Sequence, residues 1–108
     1  MFERNYDWRA IIKQIDPLAE EKIGAYADHS ITRESKVPRK YKELILMACS
    51  AAVRYRSSVR KHGIEAMSQG ASEEEIIEVF SLVSMAVGFT AFIEGIEALG
   101  DQLTPKKE

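Results

Sequence analysis

The tightest constraint on this chain is how regularly it is punctuated for helices and how rarely for strands. No segment alternates apolar and polar residues cleanly enough for a half-buried strand, and β-branched residues never cluster between turn signals. Helix signals recur from end to end. Asp7 can cap a first helix carrying Trp8, Ile11, Ile12 and Ile15, and Asp16-Pro17 then stops it and starts a second. That second helix runs through Leu18, Ile23, Tyr26 and Ala27 and fades near residues 32–36. Val37-Pro38 opens a third, because the residue before proline resists the helical region while proline suits a first turn. A fourth covers roughly residues 57–69 and stops at Gly70, a residue suited to a left-handed C-cap. Ser72-Glu73-Glu74-Glu75 reads as a capping box, and a fifth helix carries Ile76, Phe80 and Val83 until Gly88 breaks it. The last helix sets Phe89, Phe92, Ile93, Ile96 and Leu99 on one side and the small residues Ala91, Gly95 and Ala98 on another. The expected fold is all-α, one domain over residues 1–108 with about six helices, ending in a frayed polar tail at residues 104–108.

Burial sets a second condition. Residues 44–53 are apolar or small on nearly every face, so this helix must be surrounded by its own domain or by another subunit. A chain of 108 residues has little interior in which to hide such helices. Self-association buries apolar area at roughly 25 cal/mol per Å2, so an obligate homo-oligomer is expected.

Other classes are excluded more simply. The net charge of −2 draws the molecule toward neither nucleic acid nor anionic membrane. No apolar run approaches the ~20 residues of a membrane span. Residues 1–7 contain no basic region followed by an apolar core, so no secretory signal is expected and the expected location is the cytoplasm. Cys49 is the sole cysteine, which rules out an intrachain disulfide, and its small apolar neighbours predict a buried, unreactive thiol. His29, His62 and the scattered acids have no metal-ligand spacing, so neither a metal nor a cofactor is expected.

Four segments follow one another in a particular order: Pro38-Arg39-Lys40-Tyr41-Lys42-Glu43-Leu44-Ile45, then Arg54-Tyr55-Arg56-Ser57-Ser58-Val59-Arg60-Lys61-His62, then Gly63-Ile64-Glu65-Ala66-Met67-Ser68-Gln69-Gly70-Ala71-Ser72-Glu73-Glu74-Glu75-Ile76, then Val87-Gly88-Phe89. Together they resemble the carboxymuconolactone decarboxylase and alkylhydroperoxidase D family. The resemblance covers about residues 37–103, leaving residues 1–36 as N-terminal helices. Redox-active members of that family read Cys-x-x-Cys-x-x-x-His at the second segment, with a glutamate in the preceding helix. Setting the family's histidine on His62 places its cysteines at Ser58 and Tyr55 and its glutamate at Glu43. The resemblance implies an all-helical fold of the alkylhydroperoxidase D type, assembled as trimers or hexamers.

The missing sulfur argues against peroxide reduction. Tyrosine has no comparable nucleophilicity near neutrality, and serine needs an adjacent base and an oxyanion hole and forms no disulfide. The family's decarboxylase branch resembles this chain in lacking the cysteine pair while keeping a histidine near this place. Its reaction removes CO2 from a carboxylated lactone without a cofactor. Such chemistry needs cations that hold carboxylates, a proton donor for the carbon left electron-rich, and a dry pocket.

The residues match that list in outline. Ser58 and His62, four apart, share one helical face, and Tyr55 joins them if the helix begins early. Glu43 can orient His62 and select its tautomer. Arg54, Arg56 and Arg60 stand beside them, and a guanidinium binds a carboxylate through two hydrogen bonds, so a small anionic substrate is the better expectation. The candidate catalytic residues are therefore His62, Glu43, Ser58 and Tyr55, with Arg54, Arg56 and Arg60 for substrate binding. Plainer readings stay open beside these. The cations suit a solvated helix face, and His62 suits a surface or interface position. Glu43 among Leu44, Ile45 and Leu46 needs an arginine or histidine partner if buried, and that partner can serve structure alone. The alternative function is then a non-catalytic oligomeric binding or scaffold protein with a decayed thiol site.

Overall fold

The architecture follows from its caps. This computed structural model describes residues 7–103, in which six α-helices succeed one another and no strand forms. The Asp7 carboxylate accepts from the amides of Arg9 and Ala10 and opens α1 (Trp8–Ile15). Asp16 ends α1 and caps α2 (Pro17–Ala27), accepting from the Ala19 amide with Pro17 in the first turn. α2 continues into a single π-helical turn, Asp28–Thr32, and helical structure ends there, at the edge of the stretch where the sequence has it fade. The polar tail expected at residues 104–108 lies outside the described residues.

The chain divides into two compact units, Met1–Ser35 and Lys36–Glu108. In the first, α1 packs on α2 and Arg9 bridges to Glu20 at 2.9 Å. Among its described residues only Gly24 is buried, so this unit has no core of its own.

The second unit begins with α3 (Arg39–Ala52), for which Pro38 is the N-cap rather than a first-turn residue. A short corner joins it to α4 (Arg56–Ser68). At that corner Arg54 has φ 60°, a left-handed conformation that costs a residue with a Cβ about 1 kcal/mol. Gly70, at φ 103°, turns the chain out of α4 without that cost. The capping box then forms as the sequence predicts: the Glu75 amide donates to Ser72 Oγ at 3.1 Å and the Ser72 amide to Glu75 Oε1 at 2.9 Å. This opens α5 (Glu73–Val87), and Gly88 separates it from α6 (Phe89–Leu99).

The core lies where α3 to α6 meet, with Met47, Val59, Ile76, Phe80 and Leu99 shielded from solvent. α6 turns its small ridge inward: Ala91, Gly95 and Ala98 are buried, whereas Phe89 and Ile93 are exposed. The reason is steric, because the Phe80 ring occupies the space beside Gly95.

α3 is only partly surrounded. It turns Met47 and Ala51 to the core and leaves Ile45 exposed, as is Val53 at its C-cap. The buried thiol expected at Cys49 is not found. Cys49 lies on the opposite side of the helix from Met47 and Ala51 and is exposed.

Candidate functional site

α3 and α4 form an antiparallel hairpin, and their facing sides carry a polar seam inside an otherwise apolar interface. Its centre is Glu43, 1% exposed, the one buried charged residue among the described residues. Both carboxylate oxygens are engaged. Oε1 lies 2.7 Å from His62 Nδ1, and Oε2 accepts from Arg39 Nε at 2.7 Å. Arg39, one helical turn before Glu43, extends Nη2 to Glu65 Oε2 at 3.4 Å. A carboxylate ion accepts and cannot donate, so against an ionised Glu43 the proton of this contact sits on His62 Nδ1.

The seam continues two turns along α3, where Ser50 Oγ lies 2.7 Å from Ser58 Oγ. Sequence spacing pairs Ser58 with His62, but each is instead held by a residue of α3. Arg39 and Ser50 were not singled out from sequence. Their signal was available: one is four residues before Glu43 and the other seven after it, which puts all three on one helical face.

The other expected residues are placed differently. Tyr55 is the N-cap of α4 with its side chain largely in solvent, so it does not fill the space between the helices. Arg54 is exposed at the corner. Arg56 reaches Glu97 of α6 at 3.4 Å. Arg60 is more firmly occupied: Nη1 donates to the carbonyls of Ala98 and Leu99 at 3.2 and 3.1 Å, and Nη2 pairs with Asp101 at 3.0 Å. Both arginines thus hold α6 against α4.

With the geometry in hand, comparison with known families decides the lineage: the model of the carboxymuconolactone decarboxylase family matches residues 17–101. The chain belongs to the carboxymuconolactone decarboxylase family. The match begins at α2, so more of the chain is family-like than the four segments alone suggest. No curated protein and no solved structure matches the chain. Its all-helical architecture agrees with membership of the carboxymuconolactone decarboxylase family.

A concavity lies on another face of α3, away from this seam. Tyr41, Leu44, Ile45 and Ala48 of α3 and Val79, Leu82 and Val83 of α5, with Glu75 and Glu78, line an apolar groove of about 560 Å3. None of the candidate residues lines it, because Glu43 faces α4 while Leu44 and Ile45 face α5 or solvent. Among the described residues no group of three or more histidine, cysteine, aspartate or glutamate side chains is placed to hold a metal ion, and no helix is long and apolar enough to cross a membrane.

Proposed function

We propose that this carboxymuconolactone decarboxylase-like protein moves a proton on a small carboxylated molecule, without a cofactor, through His62 Nε2. The observation that carries the reading is the 2.7 Å contact of His62 Nδ1 with a buried, doubly held carboxylate. That contact fixes the tautomer and the ring plane, which a catalytic imidazole requires. Nε2 takes a proton from one position of the substrate and returns it to another. Where CO2 leaves between those events, the electron pair of the broken C–C bond stays on the substrate and collects the returned proton. Decarboxylation and isomerisation therefore use the same group. Ser58 and Tyr55 lie near the start of the helix that carries His62. Of the arginines, Arg56 is the better carboxylate clamp, since its one contact is long and partly exposed, with Arg54 free to assist at the corner.

Homo-oligomeric assembly, as trimers or hexamers, belongs to the same reading. Leu82 at 66%, Met85 at 84% and Phe89 at 65% exposure are supporting observations, since side chains of this size are usually covered. Sedimentation of the purified chain as a monomer at micromolar concentration would remove it. A cytoplasmic location is proposed on the same footing, with a single cysteine and no disulfide to need an oxidising compartment.

The scaffold alternative has its own support, because Ser58, Arg56 and Arg60 all have partners within the chain. Thermal-shift screening separates the two. Small mono- and dicarboxylates, lactones and hydroperoxides are titrated into the native protein and His62→Ala, since a ligand that binds only the folded state raises its melting temperature by mass action. A carboxylate-specific shift that depends on His62 supports catalysis. No shift with any class supports the scaffold, and a shift with hydroperoxides alone points to the peroxidase branch.

A further inference from the structure

We infer that Arg39 is a positioning residue for His62, acting through Glu43 to keep the resting imidazole neutral, so that the first proton moves from substrate to Nε2. The inference rests on the reading of His62 as the proton carrier and adds a direction to it.

Glu43 offers one negative charge and two oxygens, and each oxygen has a partner at 2.7 Å. The charge of Arg39 is permanent, whereas that of His62 is not. A buried carboxylate strongly favours a positive charge beside it. Were His62 the sole partner, that demand would fall on the imidazole and favour imidazolium. Arg39 meets it at Oε2, so Oε1 need only accept a hydrogen bond from Nδ1–H, and Nε2 retains its lone pair.

Arg39 is itself restrained. Nε is held by Glu43 and Nη2 by Glu65, so the guanidinium is fixed between two carboxylates. Glu65 does not reverse the balance: its side chain is 43% exposed and lies at 3.4 Å, so water shares its charge. The remaining neighbours add little. Lys61 is exposed, Arg60 is engaged at the end of α6, and α6 meets α4 at Gly63 through the apolar side chain of Leu99.

The test is 15N NMR of the histidine ring in the intact protein at mildly alkaline pH, in native form and as Arg39→Met, Arg39→Gln and Arg39→Lys. His62 in the native protein is expected to give one protonated nitrogen, Nδ1, and one unprotonated nitrogen, Nε2. Arg39→Met is expected to lose the unprotonated signal as imidazolium forms, and Arg39→Lys to restore it. Where Arg39→Met does not fold, Arg39→Gln keeps a donor without the charge and gives the same answer. A native spectrum showing imidazolium or the Nε2–H tautomer would overturn the inference. So would an unchanged neutral signature in the uncharged variants. These readouts do not involve turnover, so failure here leaves proton transfer at His62 standing. A protein with this signature that ignores every carboxylate would instead count against the proposed function.

Discussion

Phe80 stands where a side chain on Gly95 would have to go. A Cβ placed on Gly95 meets Phe80 Cε1 at 2.7 Å and Cδ1 at 2.8 Å, and the ring is fully buried. In an open helix glycine to alanine gains about 1 kcal/mol. Here the added methyl meets a rigid ring, and overpacking costs about 1–3 kcal/mol. Gly95→Ala is therefore expected to lower stability by about 1 kcal/mol and to shift the urea midpoint down, with Phe80→Leu in the same chain recovering part of the effect of the alanine. A raised midpoint in the single variant would mean that α5 and α6 pack less closely than described.

Glu43 gives a different kind of prediction, because its removal leaves charges behind. In Glu43→Leu, His62 loses its acceptor at Nδ1 but carries no stranded charge, and Arg39 keeps Glu65 and partial access to water, its side chain being 29% exposed. The loss is then that of an unsatisfied hydrogen-bonding partner, about 1–3 kcal/mol, rather than the roughly 3–5 kcal/mol of a stranded buried charge. Chemical denaturation at neutral pH measures it. A loss well above that range would show that Arg39 reaches neither Glu65 nor water once Glu43 has gone.

The pH dependence of stability has an identifiable contributor in the Glu75–Lys40 pair. The Ser72 amide and then the Lys40 ammonium hold the Glu75 carboxyl below its ordinary 4.5, and the hydrogen bond to Glu75 raises the Lys40 amine above its ordinary 10.5. A depressed carboxyl stabilises above its ordinary value, and that contribution disappears as pH falls through the folded-state value. A raised amine stabilises below its ordinary value, and its contribution disappears as pH rises through the folded one. Glu75→Gln should therefore lose less melting temperature than the native chain on acidification below 4.5. Lys40→Met should lose less above 10.5. Both groups are solvated, so salt should shrink the Lys40 effect. Parallel acid limbs for native and Glu75→Gln would remove Glu75 from the account.

Caps and breaks were the legible part of the fold. Asp7, Asp16-Pro17, Ser72 with Glu75, Gly70 and Gly88 all act where local chemistry predicts, because each feature lies within one turn of chain. Which face of a uniformly apolar helix turns inward depends on neighbours from distant sequence, and there composition misleads: Cys49 is exposed although its window is apolar. The site divides in the same way. A carboxylate among leucines predicts a histidine or arginine partner, and Glu43 has one of each. The use of Arg60 by the carbonyls ending α6 could not be read locally, since it joins residues almost forty positions apart.

That use of Arg60 separates structure from binding. Three acceptors at the end of α6 surround its guanidinium, which satisfies carbonyls that the helix leaves without partners and sets a cation at the negative end of its dipole. Arg60→Ala should therefore cost about 1–2 kcal/mol of stability, while Asp101→Asn, which loses only an exposed pair, should cost less than about 1 kcal/mol. If Arg56 is the clamp, the melting-temperature rise caused by a carboxylate ligand survives in Arg60→Ala on a lowered baseline and is diminished in Arg56→Ala. Paired thermal melts with and without the ligand make both comparisons. A native baseline in Arg60→Ala with the ligand response gone would move Arg60 from the helix end into the binding site.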